Sequence, residues 1–144
     1  MSDAPPSHRR WRSSWLAVLA GVVVHFGTAT LLVYVLLFAA DLASTIVDPA
    51  HLDWRHRLND ASTGGWYVLQ AFSFLSGVAA GLAAAALSPP RSRVALGALL
   101  FLALLSVFFA QLPSPHSILA IGIWALATPL GLLLGHRIHR QLLH

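Results

Sequence analysis

The chain has 144 residues, of which 57% are hydrophobic and only 10% are charged, and its mean hydropathy is +0.71. Soluble globular proteins carry roughly 25% charged residues, so this composition excludes an ordinary water-soluble domain. A membrane crossing takes about 20 apolar residues, so the length allows about four or five crossings and no separate catalytic domain. Cysteine is absent, which excludes disulfides, zinc thiolates and thiol catalysis.

Charge is distributed unevenly among the residue types. All nine basic residues are arginine and all five acidic residues are aspartate, which gives a formal net charge of +4. In a soluble protein this balance would indicate nucleic acid, but here the arginines flank apolar runs, where they orient a chain in a bilayer. We therefore predict the lipid bilayer as a partner and no nucleic acid. The bias towards Arg, Ala and Leu without Lys or Glu is typical of a GC-rich bacterial genome and predicts a bacterial plasma (inner) membrane.

The first apolar run has no charged residue before Asp41 and predicts a transmembrane helix over about 14–40. Residues 1–13, which contain three arginines, are expected to form a disordered cytoplasmic tail. A cleaved signal peptide is the alternative, with Ala39-Ala40 as the small residues of a cleavage site. Signal peptides have apolar regions of only roughly 7 to 15 residues, so the length of this run favours a retained helix.

Three further helices are expected. The second covers about 66–88, between the turn pair Gly64-Gly65 and the prolines that follow it. The stretch up to residue 136 has no charged residue after Arg93 and is interrupted by Pro113-Ser114-Pro115, so it predicts helices over about 94–111 and 117–136. The sequence thus predicts an all-α integral membrane protein with a four-helix transmembrane domain over 14–136, built as two helical hairpins and followed by a basic tail over 137–144.

The loop over 41–65 contains a segment that favours a short helix on the outer membrane surface. Asp48 can cap a helix that begins at Pro49, and Trp54 and Leu58 then share one face of it. The alternative is a metal or docking site formed by His51, Asp53, His56 and Asp60. His51 and His56 diverge around a helix, so we predict no metal here.

Arginines predict the orientation of the spans. Two of the nine, Arg55 and Arg57, belong to the loop over 41–65, whereas the other seven flank the opposite ends of the predicted helices. These seven are Arg9, Arg10, Arg12, Arg91, Arg93, Arg137 and Arg140. By the positive-inside rule both termini are cytoplasmic, and the loop over 41–65 faces outward.

His25 is the only strongly ionisable side chain well inside an apolar run, which makes it the leading candidate for a functional site. Counting inward from the helix ends places Ser73, Ser76 and Thr128 at a comparable depth, as a candidate polar cluster. Pro129 leaves the carbonyl of Ala125 without its helical donor, and His25 is a candidate donor to it. The structural interpretation is an interhelical hydrogen bond. The functional interpretation is a proton relay or a ligand to a haem or metal. The spans supply no carboxylate for a relay, and His116 and His136 lie at opposite interfaces, so neither can be a second axial ligand at the depth of His25.

Small residues recur at intervals of four on the second and fourth predicted helices. Such seams let helix backbones approach closely. Their glycines are Gly77 and Gly81 on one helix and Gly131 and Gly135 on the other. The sequence leaves open whether both seams pack within one chain or one of them faces a second subunit.

Taken together, these features favour a non-enzymatic membrane protein without a cofactor, acting as an accessory subunit of a larger membrane complex or as a homo-oligomer. The alternative is a small oligomeric transporter or channel with His25 at the midplane. A haem-binding redox subunit is a weaker alternative, with His25 as its only candidate ligand. The basic C-terminal segment, including His136 and Arg140, is expected to lie near anionic lipid headgroups.

Overall fold

The computed structural model describes residues 6–44, 64–89, 93–109 and 118–142. These residues form four α-helices and contain no β-strand, which confirms the all-helical prediction. In chain order the helices are α1 (Pro6–Ser44), α2 (Gly64–Leu87), α3 (Val94–Phe109) and α4 (Ile118–Leu142). The loop segment over 50–59, including its alternative metal ligands, lies outside the described residues.

Two helices are longer than the apolar runs that predict them. α1 begins at Pro6 instead of near residue 14, so part of the expected disordered tail is helical. Proline suits the first helical position, and the arginines that follow it are good helix formers. α4 continues to Leu142, beyond the expected end at 136, with His139 and Arg140 in its last turn. Basic residues are favourable there because they complement the negative end of the helix dipole.

The ends of α2 and α3 follow from local sequence. At the end of α2 the hydroxyl of Ser88 donates to the carbonyl of Ala84 at 2.6 Å, and the prolines that follow cannot continue the helix. At the start of α3 the N–H of Gly97 donates to the carbonyl of Arg93 at 2.9 Å. Arg93 is therefore the cap residue of α3.

α2 lies at the centre of the bundle. Its most extensive contacts are with α4 and then with α1, whereas α3 makes smaller contacts with each of the other three helices. Small side chains dominate the main cluster of buried residues, which consists of Ala17, Val18, Ala80, Ala84, Ala95, Leu99 and Leu132. Alanine allows close approach of neighbouring helices. A second cluster pairs Trp66 with Ala120, so Trp66 packs against α4, while the adjacent Tyr67 is exposed.

Three of the described helices are long and apolar enough to cross a membrane. They are α2, α4 and the part of α1 over Ser14–Ala40. α3 is more apolar than each of the other described helices but has only 16 residues. Many large apolar side chains on these helices are exposed, among them Phe38 at 72% and Phe101 at 65%. Such a surface is unfavourable in water and ordinary against lipid.

Candidate functional site

The two glycine seams face each other across the contact between α2 and α4. A Cβ atom added at Gly77 would lie 2.6 Å from the carbonyl oxygen of Thr128. One added at Gly131 would meet the carbonyl oxygen of Phe74, and one at Gly135 that of Val78. The obstructing atoms belong to the backbone and have no rotamer to change. Glycine is therefore required at these positions, and both seams are used within one chain.

The same contact brings three of the predicted polar residues together. Ser76 is fully buried, and its hydroxyl donates to the carbonyl oxygen of Ser73 at 3.0 Å. Thr128 on α4 donates to that same carbonyl across the helix contact at 3.5 Å, and the hydroxyl of Ser73 donates to the carbonyl of Leu69 at 3.0 Å. Each hydroxyl thus donates a hydrogen bond to a backbone carbonyl, and the bond from Thr128 also links α4 to α2.

His25 approaches this group from α1 and is half-buried. Its imidazole interacts with the backbone of Ser76 and stacks edge-on against Phe26, with ring centroids 5.5 Å apart. The Nδ1 atom is buried and has no hydrogen-bond partner among the described residues. His25 therefore connects α1 to α2 and leaves one ring nitrogen unused.

The predicted hydrogen bond from His25 to the carbonyl of Ala125 is not among the interactions of the described residues. The imidazole interacts with the backbone of Ser76 on α2 instead. The reason is the helix arrangement, because α1 packs on α2 and α3 and has at most marginal contact with α4, which carries Ala125. The structure brings His25, Ser73, Ser76 and Thr128 near one another, but the sequence could not show which helices are neighbours.

A cavity of about 210 Å³ lies beside Ser73, between α2, α3 and α4. Its polar lining consists of Gln70, Ser73, Ser106 and Thr128, and Ala125 and Pro129 form part of its wall. Pro129 has no N–H to donate to the carbonyl of Ala125. The residue with this unsatisfied carbonyl therefore forms part of the cavity wall. Sequence reasoning missed Gln70 and Ser106. Gln70 could have been found, because it lies three residues before Ser73 and so shares its face of α2.

No group of three or more His, Asp or Glu side chains that could hold a metal ion occurs among the residues that the structure describes. Comparisons with known protein families, with curated proteins and with solved structures find no match to this chain.

Proposed function

We propose that the chain is an integral membrane protein of a bacterial plasma membrane that crosses the bilayer four times, with both termini in the cytoplasm. The three long apolar helices and the exposed apolar side chains support insertion. The arginine distribution supports the orientation, since seven of the nine arginines flank the ends that we assign to the cytoplasm. The outer surface helix over 50–59 remains part of this proposal.

α3 is the shortest proposed crossing. Its 16 residues extend about 24 Å at 1.5 Å per residue, against a hydrocarbon core of about 30 Å. It contains no charged residue, and local thinning of the bilayer accommodates a short span at modest cost. A crossing by α3 is also required if the arginines at 91 and 93 and those at 137 and 140 are all to lie in the cytoplasm.

Within the membrane, the proposed role is that of a non-enzymatic component of a larger assembly. The main support for this role is that the interior of the bundle is occupied by packing contacts. Both glycine seams and all three hydroxyls of the polar cluster make their contacts within the chain. Contacts with a partner or a second copy then fall on outer faces. The outer half of α1 offers one, where Leu31, Tyr34 and Phe38 are each more than 60% exposed.

A small-solute transporter or channel is the second candidate, and the cavity beside Ser73 favours it. Four polar side chains line a space of about 210 Å³ between three apolar helices. Polar groups placed at this depth are costly unless they serve packing or a solute. Transport would use Gln70, Ser106 and Thr128 and would need several copies of the chain to enclose a pathway.

Native mass spectrometry of the protein extracted from its own membrane in a mild detergent tests the proposed role. We expect a stoichiometric complex with a different protein, and we expect His25→Ala to lower thermal stability while leaving that complex intact. Thr28→Ala, one turn away on α1, is the matched control. A pure homo-oligomer whose solute flux disappears in Gln70→Ala, which alters the cavity beside Ser73, would contradict the accessory role and favour transport. A Soret absorption band in the purified protein would favour the haem alternative.

A further inference from the structure

The groove between the start of α3 and the end of α4 lies outside the polar cluster and has a volume of about 720 Å³. Arg93 contributes from α3, and Arg137 and Arg140 contribute from α4. Two leucines, Leu96 and Leu133, form apolar walls next to these arginines. The groove therefore combines basic and apolar side chains, and each of the two helices contributes both kinds.

The described residues that line the groove carry positive charge and no negative charge. The sequence contains no acidic residue after Asp60, and none of the described residues that line the groove is acidic. Arg93 of α3 lines the same groove as His136 and Arg140 of α4, so the two helices bring their basic groups together. Converging like charges raise the energy of the fold unless an anion neutralises them. The positive end of the α3 dipole lies at Arg93 and adds to this field, whereas the negative end of the α4 dipole offsets part of it near Arg140.

His136 provides an observation that does not depend on charge. It lines the groove and is only 8% exposed. Its Nε2 atom is buried and has no hydrogen-bond partner among the described residues. A buried polar atom without a partner is unfavourable, so the wall of the groove includes a histidine with an unsatisfied ring nitrogen.

We infer that this groove binds the phosphate headgroup of an anionic phospholipid. Arginine guanidinium groups match phosphate oxygens in geometry as well as charge. Leu96 and Leu133 would lie against the acyl chains, a contact that a free phosphate ion could not make. Basic grooves between transmembrane helices on the cytoplasmic side are suited to such headgroups. This inference rests on the membrane insertion proposed above.

The test is native mass spectrometry of the full chain after exchange into detergent containing phosphatidylglycerol or phosphatidylcholine. We expect one phosphatidylglycerol to remain bound and phosphatidylcholine to be lost. The double variant Arg93→Gln and Arg137→Gln should weaken phosphatidylglycerol binding about thirty-fold, since each arginine near a headgroup contributes about fivefold. Both side chains are exposed, so the variant is expected to fold. Arg57→Gln removes the same kind of charge from the predicted outer loop and should leave binding unchanged.

The remaining outcomes separate this inference from the proposed membrane location. Equal retention of both lipids, or phosphatidylglycerol retention that survives in the double variant, would overturn the lipid site while leaving insertion intact. Displacement of the lipid by excess inorganic phosphate would show an anion site without lipid specificity and would also overturn it. Recovery of the wild-type chain from the soluble fraction of its cells would instead contradict membrane insertion itself.

Discussion

Gly131→Ala should destabilise the bundle by about 1–3 kcal/mol, a typical cost of forcing one extra carbon into a closely packed contact. The new methyl group would meet the carbonyl oxygen of Phe74 and come within 3.0 Å of the amide nitrogen of Val78. Both atoms belong to the backbone of α2, so the variant must separate α2 from α4. The free energy of unfolding is measured in detergent by titrating with a denaturing detergent and monitoring the loss of the helical circular dichroism signal.

Gly122→Ala is the matched control on the same helix. A Cβ atom at Gly122 has no neighbour within 4 Å. Alanine also has a higher helix propensity than glycine, by up to about 1 kcal/mol, so this variant should be neutral or slightly more stable. Equal effects of the two substitutions would show that the backbones of α2 and α4 are not in contact at Gly131.

Leu99→Ala should cost about 2 kcal/mol of unfolding free energy. Leu99 on α3 is 4% exposed and packs in the main buried cluster with Ala80 and Ala84 of α2. Its Cδ1 atom also fills the space at Gly21 of α1, 2.6 Å from where a Cβ atom would stand. Lipid is as apolar as leucine, so the cost reflects the cavity and the lost packing contacts and lies at the low end of the range for buried leucines.

Leu104→Ala on the same helix is the control, because Leu104 is 47% exposed. Thermal unfolding of the two variants in one detergent should show a loss of several degrees for Leu99→Ala and little change for Leu104→Ala. The reverse order would mean that α3 presents a different face to α1 and α2. Leu99 is the only large side chain among the α3 residues of the main buried cluster, so its removal tests how α3 is attached to the bundle.

Hydropathy and helix breakers determined most of the fold. The apolar runs predicted four helices, and the prolines after Leu87 and the glycine pair before Trp66 gave the ends of α2 to within two residues. The starts and ends outside the apolar runs were less predictable. Arg9, Arg10 and Arg12 signal a membrane boundary, but arginine is also a good helix former, so α1 continues through them to Pro6.

The sequence indicated which residues of the polar cluster lie close together better than it indicated which helices are neighbours. Counting residues along each helix placed Ser73, Ser76 and Thr128 together, because helical rise is constant. Helix order around the bundle depends on which surfaces fit, and here the glycine seams bring α4 onto α2 and keep His25 away from Ala125. The spacing of the glycines revealed two seams but did not show that these two seams pack against each other.

Of the four membrane crossings that we propose, α3 is the least certain to span because it has only 16 residues. Because cysteine is absent, single cysteines can be introduced at Ser62, Ser92 and Ser114 and labelled in intact cells with a membrane-impermeant maleimide. We predict labelling at positions 62 and 114, and labelling at 92 only after the membrane is permeabilised. Labelling of positions 92 and 114 from the same side would show that α3 does not cross, which would contradict the four-crossing account.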